Sequence, residues 1–171
     1  MSILYAYQQV GTKWLVDNAL GCKGCLLADS MGLGKSAQTI AALASLFVLD
    51  AERFFPCIVV CPASVLFHWQ SECAKWGFPG KYQVAHASNS DPEHDILDCD
   101  LLITTPRGFT DAAYWHEAGH LNGLVIDEAS SLKSRASRLT SVAHACADHL
   151  ALRWALSATS VGRSRAHTAV A

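Results

Sequence analysis

Short apolar runs alternate with longer amphipathic stretches along the chain. Most of the short runs are bounded by turn-forming residues and are rich in Val, Ile and Leu without polar alternation, as expected for strands buried on both faces of a sheet. The pattern predicts six strands: Gly24–Ala28, Cys57–Cys61, Tyr82–Ala85, Leu101–Thr105, Gly123–Asp127 and Arg153–Ser157. It also predicts five helices: Tyr5–Ala19, Ser36–Asp50, Val65–Trp76, Arg107–His116 and Ser137–His149.

The alternation of strands and helices predicts an α/β fold, with a mostly parallel sheet, helices on both faces and right-handed crossovers. Ligands of such sheets bind at the carboxyl ends of the strands. The polar segment 87–98 reads as a loop, and no linker divides the chain. A length of 171 residues therefore fits one domain.

Composition places the chain among globular proteins, because 51% of the residues are apolar and 16% are charged. No run is long and apolar enough for a membrane span, and the first residues lack the features of a signal peptide. We therefore expect an intracellular, soluble protein, cytoplasmic or nuclear, with no membrane partner. The net charge of −2 argues against a partner bound mainly by bulk positive charge.

Seven cysteines without a secretion signal argue against a disulfide framework and predict mostly buried thiols. Cys22 and Cys25 have the two-residue gap that suits zinc. A second such pair is missing, so a turn leading into a buried strand is the preferred interpretation.

A glycine-rich segment, LLADSMGLGKSAQTIAAL, joins the first predicted strand to the second helix. Glycines at such a junction let backbone N–H groups converge on a phosphate, and the helix start adds unpaired amides and a positive dipole end. Lys35 would reach the β- and γ-phosphates, and the Ser36 hydroxyl would bind Mg²⁺. The strict phosphate-loop pattern requires glycine where Asp29 stands, so the prediction depends on the strand-to-helix context. The alternative is a glycine-rich helix start with a solvated lysine.

Two adjacent carboxylates, Asp127 and Glu128, end the apolar run in GLVIDEASSLK. Adjacent residues at a strand end point in different directions. In a phosphate-transfer site, Asp127 would bind Mg²⁺ directly or through water, and Glu128 would orient and deprotonate the attacking water. The alternative is a solvated turn.

Six motifs follow one another in a recognisable order: AYQQVGTKWL, LADSMGLGKSAQTIA, VVCPASVLFHWQSECAKW, LLITTP, VIDEASSLKS and WALSATS. Together they resemble the superfamily 2 helicase-like ATPases, specifically the Swi/Snf-type double-stranded DNA translocases. In this resemblance they are the glutamine motif that recognises adenine, the phosphate loop, two DNA-side motifs, the Asp-Glu box and the motif that couples hydrolysis to movement. The family's usual LADEMGLGKT also accounts for Asp29.

The resemblance implies a RecA-like P-loop NTPase domain with ATP and Mg²⁺ as cofactors. It implies nucleotide contacts at Gln8, Asp29, Met31, Gly32, Leu33, Gly34, Lys35 and Ser36. Catalysis is implied for Lys35, Asp127 and Glu128, and Mg²⁺ binding for Ser36 and Asp127.

The resemblance also implies DNA, most simply a duplex contacted through its backbone, as a partner. Backbone contacts are implied for Ser64, Thr104 and Thr105. Ser64 could cap the following helix as well, and the two threonines could simply end a strand. The coupling motif is Ser157, Ala158 and Thr159.

Only the first of the family's two RecA-like lobes is represented. We expect residues 1–171 to be one ATP-binding lobe, with its motifs in about 5–160, and the second lobe, which supplies arginine fingers, to be absent and to act in cis or in trans. The chain departs from the family where Ser30 replaces an acid, Ser130 a histidine and Ser160 a proline.

Three hypotheses follow. The first is the ATP-binding lobe of a DNA-dependent ATPase that couples hydrolysis to tracking along DNA. The second is a truncated or regulatory nucleotide- or DNA-binding module without significant turnover. The third is a motor of a restriction or viral system on the same scaffold.

Overall fold

The computed structural model describes residues 3–85, 98–111, 121–134 and 137–158. The strands in these residues are β1 (Cys25–Leu27), β2 (Cys57–Val60), β3 (Tyr82–Ala85), β4 (Leu101–Thr104), β5 (Gly123–Ile126) and β6 (Leu152–Leu156). The α-helices are α1 (Ala6–Leu20), α2 (Lys35–Phe54), α3 (Leu66–Trp76), α4 (Pro106–Asp111) and α5 (Arg138–Ala147). Two short 3₁₀ turns span Ala63–Val65 and Ala129–Lys133.

The six strands form one sheet in the order β1-β6-β5-β2-β4-β3. Each neighbouring pair is parallel, which confirms and extends the prediction of a mostly parallel sheet. At the centre, Val59 of β2 pairs with Ile103 of β4 on one side and with Val125 of β5 on the other. Because the strands run the same way, all six carboxyl ends lie at one edge.

The predicted strands are confirmed, and each strand end lies within one residue of its predicted position. Helix α2 runs four residues past its predicted end at Asp50, where the backbone is non-helical with φ −163° and ψ 79°. The second part of the predicted helix Arg107–His116 and most of the predicted loop 87–98 lie outside the described residues. In the part of the chain that the structure describes, no helix is both long and apolar enough to cross a membrane.

Helices cover both faces of the sheet, and strand alternation divides the core accordingly. Cys57, Val59 and Cys61 face the larger core, which contains α1, α2 and α3. Ile58 and Val60 face the smaller core, which contains α4 and α5. Because successive side chains of a strand point to opposite faces, this apolar strand supplies apolar side chains to both cores.

The cysteines serve the fold as small buried side chains, as predicted. Six of the seven are buried, and no disulfide joins cysteines of the described part. Cys22 is exposed in a turn at φ 57°, and Cys25 opens β1, which confirms the turn into a buried strand. Within the described residues, no group of three or more His, Cys, Asp and Glu side chains could hold a metal ion.

Burial makes the stability of the fold sensitive to alkaline pH. In α3, burial and the neighbouring Glu72 carboxylate raise the pKa of the Cys73 thiol from 9.0 to about 12. Between these values the unfolded chain releases a proton that the folded chain keeps. The stability that the folded chain gains by keeping this thiol protonated is therefore fully present below pH 9 and is lost as the pH rises toward 12.

We predict that Cys73→Ala flattens the fall of the unfolding free energy between pH 9 and pH 11. A thiol that ionises only in the unfolded chain contributes about 1.4 kcal/mol of loss per pH unit. Urea unfolding at a series of pH values measures the slope, with Cys22→Ala at an exposed thiol as the control. Parallel curves for Cys73→Ala and the unmodified chain would contradict the prediction.

Candidate functional site

The predicted site residues converge at the carboxyl edge of the sheet. The phosphate loop follows β1, the Asp-Glu pair follows β5, and the coupling motif follows β6, which lies between them. With neighbouring strands about 4.8 Å apart, the ends of β1 and β5 are separated by about 10 Å. A backbone hydrogen bond of 3.0 Å from Ser157 N to Leu27 O joins the end of β6 to β1.

The phosphate loop reaches α2 through two left-handed glycines. Gly32 has φ 82°, and Gly34, at φ 73°, is the N-cap of α2. Left-handed backbone suits glycine because it has no Cβ. The first turn of α2 carries no acidic residue, and its first N–H groups have no partner within the helix. A helix start of this kind favours an anion.

Lys35, the first residue of α2, folds back over the loop. Its Nζ donates to Asp29 O at 2.8 Å and to Ser30 O at 3.2 Å. An ammonium group has three donors, so one more remains for an acceptor outside the loop. Among the other predicted nucleotide contacts, Met31 is 79% exposed and Leu33 is 37% exposed, and Ser36 is half-buried.

Two glutamines, one from α1 and one from α2, donate hydrogen bonds to residues of the phosphate loop. Gln8 accepts from Tyr5 N at 3.0 Å and donates to Leu33 O at 3.3 Å. Gln38 donates to Leu33 O at 3.2 Å and to Asp29 Oδ2 at 3.1 Å. The side chain of Asp29 is thus tied to α2. Gln38 is 1% exposed, and its Oε1 is buried without a hydrogen-bond partner.

The Asp-Glu pair lies at a sharp bend after β5. Both oxygens of Asp127 are hydrogen-bonded, Oδ1 by Glu128 N at 2.9 Å and Oδ2 by the indole Nε1 of Trp69 at 3.0 Å. Glu128 has left-handed backbone, with φ 53° and ψ 57°. For a residue other than glycine this conformation costs about 1–2 kcal/mol. The different directions predicted for the two carboxylates stay a prediction.

A buried thiol lies near Asp127. Burial, and to a lesser extent the charge of Asp127, raise the pKa of Cys61 to about 12. Cys61 is therefore a neutral side chain at ordinary pH and leaves the charge of the site to the carboxylates and Lys35.

The predicted DNA-side residues differ in their surroundings. Ser64 is exposed on the 3₁₀ turn Ala63–Val65, but the expected capping contact is wrong, because α3 begins after Val65 without a side-chain cap. Thr104 is 1% exposed, and its hydroxyl donates to Ala85 O at 3.4 Å. The Thr105 hydroxyl accepts from Gly108 N at 3.1 Å in the first turn of α4.

The coupling motif is described only in part. Ser157 is buried at 2% exposure, and Ala158 follows it at the end of the described chain. Thr159 lies outside the described residues.

Comparison with known proteins identifies the family. A family model described as the SNF2-related domain matches residues 7–169. The chain belongs to the SNF2-related family.

Individual relatives agree with this family. The chain is 30% identical over 148 residues to Switch 2 of Arabidopsis thaliana, covering 80% of this chain and 17% of that protein. It is 36% identical over 145 residues to the mouse chromodomain-helicase-DNA-binding protein 1-like, covering 80% and 16% respectively. The chain thus spans about a sixth of the length of these SNF2-related relatives.

A solved structure shares the fold. The SWI2/SNF2 ATPase core of Sulfolobus solfataricus in complex with double-stranded DNA superposes with a TM-score of 0.78 at 27% identity. The match covers 95% of this chain and 33% of the solved one. The fold is therefore RecA-like, as the motif resemblance implies.

Two side chains at the site were not predicted from the sequence. Gln38 lies within the quoted phosphate-loop motif, yet nothing in the local pattern indicates that it binds Asp29 and Leu33. Trp69 is fully buried in the core, and its Nε1 also donates to Asp127. A polar end on a buried aromatic residue is the one available signal, since a buried indole N–H usually finds a partner.

The two loop glycines provide a matched pair for testing the contact with Gln8. Gly32→Ala should cost about 1–2 kcal/mol of unfolding free energy through left-handed strain alone, since open space surrounds that position. Gly34→Ala should cost about 1 kcal/mol more, because the new methyl group collides with Gln8 Nε2 and displaces its hydrogen bond.

Urea unfolding of both variants, with and without Gln8→Ala, measures the difference. We expect the excess cost of Gly34→Ala to disappear in the Gln8→Ala background. An excess that persists there would exclude Gln8 as its cause.

Proposed function

We propose that the chain is the ATP-binding lobe of a DNA-dependent ATPase, in which Mg-ATP hydrolysis by the full two-lobed protein is coupled to tracking along double-stranded DNA. The observation that carries the proposal is the convergence of the phosphate loop and the Asp-Glu pair at one edge of a parallel sheet. Membership of the SNF2-related family supports it.

The residues at this edge fit Mg-ATP. Left-handed glycines and a helix start without acidic residues suit a polyphosphate. Mg²⁺ prefers oxygen ligands and usually takes one or two carboxylates together with phosphates and water, so no preformed cluster of protein ligands is needed. The Ser36 hydroxyl and the Asp127 carboxylate are ligands of the required kind.

Each side chain then has a distinct role. Gln8 recognises adenine, and Lys35 exchanges a loop carbonyl for the β- and γ-phosphate oxygens or uses its third donor for them. Ser36 and Asp127 hold Mg²⁺, which when bound neutralises charge on the phosphates. Glu128 orients the attacking water and accepts its proton.

DNA is the proposed macromolecular partner, and a second RecA-like lobe the proposed structural one. The solved relative with 27% identity is a complex with double-stranded DNA. Because the chain has a net charge of −2, contact with DNA would depend on local groups. Of the three predicted contacts, Ser64 is best available, since its side chain is exposed whereas the Thr104 and Thr105 hydroxyls have internal partners.

The four arginines that the structure describes each contact another part of the chain. Arg53 and Arg153 bind the turn at Cys22, before the amino end of β1. Arg107 and Arg138 pair with Asp111 at the end of α4. A transition-state arginine would therefore come from outside these residues, and such a residue is worth about 10³–10⁵ in rate.

Lys35→Ala should weaken Mg-ATP binding by about 10- to 150-fold, since a hydrogen bond to a charged group contributes about 1.5–3 kcal/mol. Isothermal titration of the chain with Mg-ATP measures the loss. Lys13→Ala, which removes an exposed lysine paired with Asp17 on α1, is the matched control and should bind as the unmodified chain does. Equal binding by the Lys35 and Lys13 variants would refute the phosphate-loop assignment.

The chain by itself should hydrolyse ATP slowly, with or without duplex DNA, because in our proposal the transition-state arginine comes from the second lobe. Phosphate release measured at saturating Mg-ATP checks this expectation. Rapid, DNA-stimulated turnover by the purified chain would show that the site is complete without a second lobe.

A further inference from the structure

The hydrogen bond between Trp69 and Asp127 joins α3 to the proposed metal site across 58 residues of sequence. Trp69 is fully buried in the larger core, with its Nε1 3.0 Å from Asp127 Oδ2. An indole nitrogen only donates, and a carboxylate oxygen only accepts when ionised, so the bond has one direction. Packing in the core fixes the Trp69 ring, and the hydrogen bond from this ring restrains the Asp127 carboxylate.

The orientation of Asp127 is determined by two donors from separate parts of the chain. Glu128 N binds Oδ1 from the bend itself, and Trp69 Nε1 binds Oδ2 from α3. Each oxygen keeps a further lone pair for another ligand. With both oxygens bound, the carboxylate cannot rotate without breaking a hydrogen bond.

Two other tryptophans differ from Trp69 in the surroundings of their N–H groups. The Nε1 of Trp154 is buried without a hydrogen-bond partner, so burial of an indole in this core does not by itself ensure pairing. Trp76, also on α3, donates to Glu72 Oε2 at 2.7 Å within its own helix. Trp69 is the tryptophan of α3 whose N–H is directed at the proposed site.

We propose that Trp69 is a positioning residue that orients the Asp127 carboxylate for Mg²⁺. The inference rests on the proposed function, since it assigns a role toward the metal of that site. Trp69 acts through Asp127, by fixing one oxygen of the carboxylate and leaving its remaining lone pairs for the metal. Partners that orient metal ligands typically contribute 10- to 100-fold to metal affinity.

Trp69→Phe removes the N–H donor and keeps an aromatic ring, and Trp76→Phe is the matched control on the same helix. We expect Trp69→Phe to raise the Mg²⁺ concentration for half-saturation of the chain loaded with the β,γ-imido analogue of ATP by about tenfold or more. The affinity for the analogue in EDTA should stay within about twofold of the unmodified chain, since this contact concerns the metal and not the phosphate loop. Trp76→Phe should change neither value.

The outcomes separate the inference from the proposed function. If the unmodified chain binds the analogue with Mg²⁺ but both tryptophan variants share its Mg²⁺ midpoint, the positioning role is wrong and the proposed function stands. If the unmodified chain binds no nucleotide at all, the proposed function fails and the inference fails with it. A loss of analogue affinity in EDTA equal to the loss with Mg²⁺ would indicate a purely structural role and overturn the inference.

A measurement on the unmodified chain avoids dependence on the folding of a variant. The ¹⁵N–¹H resonance of the Trp69 indole should shift when Mg²⁺ is added to the analogue-loaded chain, and the shift should exceed that of Trp76. An unchanged Trp69 resonance on metal binding would contradict the proposal.

Replacement of Trp69 by benzothienylalanine, which keeps the bicyclic ring and removes only the N–H, should reproduce the change in Mg²⁺ midpoint.

Discussion

The parallel pairing of β6 with both β1 and β5 is the constraint on which the rest of the site depends. Parallel hydrogen bonding sets all three carboxyl ends at one level, so that the phosphate loop, the coupling motif and the Asp-Glu pair emerge side by side. A shift in register would move Asp127 along the strand axis by about 3.3 Å per residue. The apolar residues that fill both cores are what keep that register.

Local patterns determine most of the fold. Apolar runs such as CIVVC and LLITT are too short for helices, and their β-branched residues favour strands. Because these runs are apolar throughout, helices can pack on both faces of the strands. The α2 stripe of Ile40, Leu43 and Phe47 similarly specifies its inward face. Where the prediction ends α2, at Asp50, the backbone is non-helical, and a further helical stretch then ends at the fully buried Phe54.

The chemically important residues of the candidate site are visible in the sequence, but the contacts that hold these residues in place are not. The glycines, Lys35 and the Asp-Glu pair have chemistry that is visible in the residue types and their spacing. The contacts of Gln38 and Trp69 depend instead on how separate elements pack, which no local pattern records. Ser64 shows a contact that the local pattern suggests and the structure lacks. A hydroxyl before a helix suggests a cap, but Ser64 lies within a 3₁₀ turn, and α3 begins after Val65 without a side-chain cap.

The carbonyl of Leu33 accepts hydrogen bonds from both Gln8 and Gln38. A carbonyl oxygen has two lone pairs, so this one atom is fully used, and it serves as a junction between α1, α2 and the loop. Rotation of the Leu33 peptide would release both glutamines at once. The position of the Leu33 peptide therefore links Gln8, which we propose contacts the base, to the loop that we propose binds phosphate.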